Sequence, residues 1–228
     1  MNSSLLVISL TLVVFAIIVI GLRLLRKERV DVREIRRRQL GFLPIETPAE
    51  ELVNRIRALQ YYKREKMHII RVSQKKTLDG DLYLYDAYLD SDTYLEDRLI
   101  VVSPLLQLPY FALFQLPKLE EKWGKKMNNF ADNVIGWAFN FTGMQRVHLT
   151  AFPEFDRKFI LFVENKEQVE KFFNAERVQM FVSLGANIAI DAFGDSFQIT
   201  TYGKNDSGNL DLEIAAAIKL IQILRSQG

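Results

Sequence analysis

Three side chains between residues 148 and 156 are of the types that carry out acid–base catalysis. His148, Glu154 and Asp156 lie close together in the sequence, and an imidazole beside carboxylates can take up and release protons near neutral pH. Nothing in their spacing places them around a common substrate. We therefore interpret them as surface residues at the end of a strand, and we predict no catalytic residue.

Two polar turns carry oxygen atoms of the kind that bind calcium. These turns are Asp90-Ser91-Asp92 and Asn205-Asp206-Ser207-Gly208-Asn209. Neither has the spacing of about twelve residues, closed by a bidentate Glu, that calcium loops use. Turn chemistry explains these residues more simply, so we predict no metal site and no cofactor.

Several classes of site are excluded by what the sequence lacks. The chain has no cysteine, which excludes disulfides, thiolate metal ligands and cysteine nucleophiles. No phosphate-binding glycine loop, dinucleotide fingerprint, zinc-protease helix or nucleophile elbow is present in the sequence. The small-molecule ligand, if there is one, stays unknown.

Basic residues are concentrated in residues 23–38, which hold eight Lys or Arg against three acidic residues. The net charge of this segment is +5, and because the whole chain is +2 the remaining residues sum to −3. A basic segment confined in this way favours contact with lipid headgroups or a topology signal over nucleic-acid binding. The predicted membrane-surface residues are Arg23, Arg26, Lys27, Arg29, Arg33, Arg36, Arg37 and Arg38.

The segment that precedes these residues is apolar. No charged side chain occurs between Asn2 and Leu22, and about 20 apolar residues in a helix span a bilayer core. The run is longer than a signal peptide's apolar region and has no small-residue cleavage site. We therefore predict an uncleaved transmembrane anchor at 1–25, a basic helix and linker at 26–46, and a domain at 47–228. The positive-inside rule puts that domain in the cytoplasm and the N-terminus outside, so the predicted location is the inner membrane.

The first half of the domain reads as one helix followed by strands. Thr47-Pro48-Ala49-Glu50 has the form of a capping box, and the apolar spacing that follows predicts a helix ending near Arg64. Four strand patterns then follow, with an Asp79-Gly80 turn between the first two, and they favour an antiparallel meander. These strands are predicted at 67–72, 82–89, 98–102 and 110–114.

Residues 118–141 fit two patterns. Apolar residues recur there at helical spacing, but those from Ile135 to Phe141 also alternate as in a strand. We predict helix for the first half and leave 135–141 open between helix and strand. Trp123 and Trp137 lie on the apolar stripe, which favours a core position over a membrane-interface position.

The last 80 residues are clearer. Short strands are predicted at 146–150 and 158–163, an amphipathic helix at 166–182, a hairpin around Gly194-Asp195, and a final helix at 210–224. Its inward face comprises Leu210, Ile214, Ala217, Ile218, Ile221 and Leu224. The fold class predicted is α+β, with an N-terminal transmembrane helix, a mainly antiparallel sheet and helices packed on one face of that sheet.

Two segments carry a resemblance to known protein families. They are Ser103-Pro104-Leu105-Leu106-Gln107-Leu108-Pro109-Tyr110-Phe111 and Phe152-Pro153-Glu154-Phe155-Asp156-Arg157-Lys158-Phe159. Residues 97–226 are similar to bacterial families of uncharacterised membrane-anchored proteins, whose core runs strand, helix, hairpin, helix. The resemblance implies a fold and an N-terminal anchor but assigns no activity to any residue. The physical reading of Phe155 and Phe159 is that both rings fill the core, which we favour over ligand stacking.

These observations leave two classes of function. The first is a non-enzymatic, membrane-tethered interaction or scaffold domain whose protein partner is unknown, and the second is a membrane-tethered enzyme with a site assembled from scattered polar residues. Self-association through Ser9 and Gly21 is a weaker third option. A pocket that contains His68 or His148 would favour the enzyme, whereas an apolar surface would favour a binding partner.

Overall fold

The computed structural model describes residues 32–59, 66–90, 94–116, 143–184, 188–201 and 209–225. Two compact units divide the chain, at residues 1–43 and 44–228. In the first unit, residues 32–39 are helical. This helix stops at Gly41, as the sequence predicts, because Gly41 has φ 86° and Phe42 N donates to Arg37 O at 2.9 Å. That pairing belongs to a glycine-terminated helix end.

The second unit contains both strands and helices. Strand β1, which crosses the boundary between the units, and the elements that follow it have these bounds: β1 Leu43–Ile45, α1 Glu50–Ala58, β2 Met67–Lys76, β3 Asp81–Leu89, β4 Tyr94–Val102, β5 Leu108–Gln115, β6 Gln145–Val147, α2 Pro153–Lys158, β7 Phe159–Val163, α3 Lys166–Phe172, α4 Ala175–Val182, β8 Ile188–Gly194, β9 Ser196–Thr201 and α5 Asn209–Arg225.

Within the described residues, nine strands form one antiparallel sheet in the order β1-β2-β3-β4-β9-β8-β5-β7-β6. The Asp79-Gly80 turn joins β2 to β3, and the predicted hairpin at Gly194-Asp195 joins β8 to β9. Only β2, β3 and β4 form the predicted meander, because β4 pairs with β9 and β5 pairs with β7 and β8. The sequence pattern of a strand does not specify which distant strand it pairs with. For this reason β5 was wrongly predicted to continue the meander after β4.

Helices cover both faces of the sheet, so the prediction that they pack on one face is wrong. Cross-strand partners point to the same face, and the pairs Ile100–Gln198, Gln198–Asp191 and Asp191–Ala112 define one face. Helix α1 packs on this face, since Leu52 and Ile56 share a buried cluster with Ile100.

The opposite face carries the helices of the second half. Phe111, the neighbour of Ala112 in β5, points to this other face, and its ring contacts the rings of Phe172 and Phe173 at 5.8 and 5.2 Å. The amphipathic pattern of each helix shows which side is buried but not which face of the sheet receives it. That is the physical reason for the error.

The predicted fold class also began with a transmembrane helix, and the structure does not support that part. No helix in the described ranges combines the length and the apolar character that crossing a membrane requires. The predicted anchor at 1–25 lies outside the described residues, as do residues 118–141 and the polar loop before α5.

The helix predicted at 166–182 is two helices. It breaks at Asn174, whose side chain accepts a hydrogen bond from Arg177 N and so caps α4. The predicted capping box at Thr47 is absent, because α1 starts after Ala49 without a side-chain cap, and α1 ends at Ala58 rather than near Arg64. The break at Asn174 was not predicted because the apolar pattern continues through it, although asparagine is among the best N-cap residues.

Aromatic side chains form the core between the sheet and α2, α3 and α4. Phe155 and Phe159 are buried, as predicted, and their ring centroids lie 4.9 Å apart. The segment from Pro153 to Lys158 is a short helix that was not predicted, and the strand predicted at 158–163 follows it at Phe159–Val163. In α5 the predicted inward residues are buried except Ile218, which is exposed.

Candidate functional site

The predicted acid–base set does not converge on a pocket. His148 Nδ1 lies 3.6 Å from Asp156 Oδ2, but 56% of the His148 side chain is exposed. Asp156 Oδ1 accepts a hydrogen bond from Leu149 N at 3.0 Å, so this carboxylate stabilises the turn before α2. Glu154 pairs with Lys158 at 3.1 Å, one helical turn away. The set is therefore a group of surface contacts at one helix.

The other histidine lies on the surface as well. His68 Nε2 is 3.5 Å from Asp90 Oδ1, and both side chains are more than half exposed. Within the described ranges, no three His, Asp or Glu side chains come close enough to hold a metal ion.

The predicted membrane-surface residues fall in two groups. Arg33, Arg36, Arg37 and Arg38 lie on the helical residues 32–39 of the first unit, whereas Arg23, Arg26, Lys27 and Arg29 lie outside the described residues. Arg38 is exposed and pairs with Glu34 at 2.8 Å, while Arg37 is buried. The four described arginines thus differ in their access to solvent.

A cleft of about 720 Å³ at one end of the sheet is the stronger candidate site. Three parts of the second unit build it: the loop before β5, the end of α3, and the turn between β8 and β9. Its lining is mainly apolar and comprises Leu106, Gln107, Leu108, Pro109, Gln168, Lys171, Phe172, Gly194 and Asp195. We call these residues the α3–β5 cleft. Its volume lies within the range of roughly 300–1,000 Å³ that is typical of ligand pockets.

Local sequence explains how the cleft opens. Pro109 has no backbone N–H and cannot donate to a strand partner. The register of β5 against β8 shifts between Leu108 and Phe111, around this proline. Opposite it, Gly194 has φ 61° and allows the tight turn into Asp195. The two strands are therefore irregular between Leu108 and Phe111, although Leu108 still pairs with Gly194 at the edge of the cleft.

The floor of the cleft is held by aromatic contacts. The Phe172 ring packs against the ring of Phe111 and lies 5.4 Å from that of Phe173. The Arg177 guanidinium lies 4.2 Å above the same Phe172 ring, and Arg177 Nη1 donates to Phe172 O at 2.8 Å. Burial lowers the pKa of Arg177. Because these contacts fix the Phe172 side chain, the apolar floor is preformed.

Two charged residues stand at the rim. Asp195 receives a bidentate pair from Arg55 of α1, with Nε–Oδ1 at 2.8 Å and Nη2–Oδ2 at 2.6 Å. The hydrogen bond to Asp195 raises the pKa of Arg55 above its usual value, and the same arginine also pairs with Glu51. Lys171 is exposed and has no carboxylate partner among the described residues. Among the described lining residues, Lys171 is therefore the charged side chain that remains available to a ligand.

A buried polar cluster lies elsewhere, on the sheet face that carries α1. Tyr85 donates to Gln198 Oε1 at 2.6 Å, and Gln198 is the cross-strand partner of Asp191. Asp191 Oδ1 is buried and has no hydrogen-bond partner among the residues that the structure describes. Burial raises the pKa of Asp191 to about 8, opposed by the charge of Arg98. Asp191 is absent from the lining of the α3–β5 cleft.

Sequence reasoning missed both the cleft and the buried carboxyl. The available signal for the cleft was Pro109, because a proline inside an apolar strand signals a bulge. The burial of Asp191 follows from long-range strand pairing. No family model, no curated protein and no solved structure matches this chain.

Proposed function

We propose that the second unit is a non-enzymatic protein-interaction domain that presents the α3–β5 cleft to a partner. The observation that carries this proposal is the lining of the cleft. Its floor is apolar and preformed, and its titratable residues are Lys171 and the Arg55-bound Asp195. The described lining residues include no general acid–base pair and no nucleophile, and such a cleft suits binding better than chemistry.

Location at the inner face of the cell membrane is part of the same proposal and rests on the sequence alone. The supporting features are the uncharged stretch from Asn2 to Leu22 and the basic excess in residues 23–38. We expect the full-length protein to sediment with membranes. Protease added outside intact cells should leave the domain uncut, and digestion of the domain would overturn the location.

Site-specific photocrosslinking tests the binding function. A benzoylphenylalanine placed at Gln107, an exposed residue of the cleft rim, should yield a defined adduct in cells. The same probe at exposed Glu154, which does not line the cleft, should not yield that adduct. The captured protein is then purified and its binding to the full-length chain is measured directly.

A blocking variant shows whether that binding uses the cleft. Gln168→Trp fills the rim from an exposed helix position, and we expect it to weaken binding about tenfold, a change of about 1.4 kcal/mol. The matched control is Gln179→Trp, exposed on the neighbouring α4 and outside the cleft. Equal affinity of the two variants would overturn the proposal.

Catalysis is the second candidate function, and one observation favours it. A carboxyl with a pKa of about 8, such as Asp191, can donate and accept protons near neutral pH. Asp191→Asn separates the two functions, because an enzyme using this group would lose turnover whereas an interaction domain would keep its partner affinity.

A further inference from the structure

Among the described residues, the α3–β5 cleft combines an apolar floor with one lysine, Lys171, that has no carboxylate partner. Leu106, Leu108 and Phe172 are buried side chains that form this floor. Floors of this kind receive a large aliphatic or aromatic side chain, since burying one contributes favourable free energy in proportion to its apolar area.

The charge at the rim selects the group next to that side chain. Both carboxylate oxygens of Asp195 already accept hydrogen bonds from Arg55, which also pairs with Glu51. On α3, Lys166 pairs with Glu170 at 3.6 Å and neither residue lines the cleft. Lys171 is therefore the rim cation left to meet an incoming group, and a carboxylate complements it.

Resting on the proposed function, we infer that the cleft binds a peptide segment of a protein partner in which a large apolar residue lies beside an Asp or Glu. The apolar side chain enters between Leu108 and Phe172, and the carboxylate pairs with Lys171. Gln107 and Gln168, both exposed at the rim, are placed to hydrogen-bond the peptide backbone.

Peptide pools test this inference on the purified full-length protein. Each fluorescent pool fixes Leu or Phe at the centre of a short peptide and Glu two residues later, with small residues elsewhere. Matched pools carry Lys in place of Glu, or Ser in place of the apolar residue. Fluorescence anisotropy should show the Leu/Phe–Glu pool binding at least about tenfold more tightly than either matched pool.

Charge reversal of one lysine supplies the decisive variant. Lys171→Glu should abolish the preference for the Glu pool and favour the Lys pool. Lys166→Glu makes the same charge change on an exposed residue of the same helix outside the cleft, and it should keep the wild-type preference. An unchanged preference in Lys171→Glu would overturn the inference.

Two further outcomes also overturn it. Dodecanoate that binds the cleft while no peptide pool does so would identify a lipid site. A partner captured at Gln107 whose binding is insensitive to Lys171→Glu would leave the proposed function intact and remove only the acidic–apolar segment. If neither the photocrosslink nor any pool gives binding, the proposed function itself fails.

Discussion

Arg55 and Asp195 form a bidentate ion pair that joins α1 to the turn between β8 and β9, 140 residues later in the chain. The two side chains are 26% and 33% exposed, so the pair is partly shielded from solvent. Asp195 O also accepts a hydrogen bond from Ser103 N at 2.8 Å. The turn at the rim of the α3–β5 cleft is thus fixed from two sides.

Removing this ion pair should loosen the rim. We expect Arg55→Ala to lower the free energy of unfolding by about 1–2 kcal/mol, because a bidentate charged pair is stronger than an ordinary surface pair. Urea unfolding measures the change, and Arg57→Ala on the same helix is the control. Equal losses for the two variants would show that the ion pair contributes nothing beyond helix propensity.

The buried carboxyl of Asp191 should make stability depend on pH. Burial raises its pKa to about 8 in the folded protein, whereas the unfolded chain has the ordinary value of about 3.9. Between these values the folded state holds a proton that the unfolded state releases. Stability therefore falls as pH rises through this window, by up to about 1.4 kcal/mol per pH unit.

Asp191→Asn removes this titration and should stabilise the protein at pH 7. Urea unfolding at a series of pH values from 4.5 to 8 measures the effect, and the gap between variant and wild type should widen as pH rises. Glu167→Gln, which removes an exposed carboxylate of α3, is the matched control. Parallel profiles for Asp191→Asn and wild type would contradict the assignment.

Phe155 is a buried aromatic residue of the core between the sheet and helices α2, α3 and α4. Its ring is fully buried and its centroid lies 4.9 Å from that of Phe159 and 5.5 Å from that of Phe173. Phe155→Ala should cost about 3–5 kcal/mol of stability, since it removes contacts and leaves a cavity. Phe193→Ala, where the ring is 48% exposed, should cost less than half as much. A Phe155→Ala protein that melts like the wild type would refute the core position.

Gly80 is required by close packing at the β2–β3 turn. A Cβ at this position would lie 2.8 Å from Ser103 Cβ and 2.8 Å from Val102 O. Gly80→Ala should therefore destabilise the protein by about 1–3 kcal/mol, the usual cost of overpacking. A Cβ at Gly143 meets no atom of the described residues within 4 Å, so the expected cost of Gly143→Ala is the backbone strain at φ 79°. Thermal melts of the two variants give the comparison, and a smaller loss for Gly80→Ala would contradict it.

Local sequence signals predicted most elements but not how they assemble. The strands β2, β3, β8 and β9 and the helix α5 were predicted from alternation, turn residues and helical spacing. The insertion of β9 beside β4 and the placement of α1 on the opposite face from α3 depend on contacts between distant residues. No pattern within one segment carries that information.

The α3–β5 cleft could not be predicted from the sequence for the same reason, because it depends on contacts between distant residues. Lys171, Pro109 and Asp195 come from three separate segments, and each has an ordinary local role in a helix, a strand or a turn. Their convergence follows from the pairing of β5 with β8. The two histidines were considered as catalytic residues because of their chemistry, but both side chains are exposed at the surface.

Hydrogen–deuterium exchange tests the central claim, that the α3–β5 cleft is the partner-binding surface, most directly. The purified full-length protein is compared with and without the protein captured at Gln107, and exchange is followed by mass spectrometry. The account predicts slower exchange in residues 104–109 and 168–172, and little change around His148 or in residues 67–76. Protection elsewhere in the domain, with exchange at 104–109 and 168–172 unchanged, would contradict it.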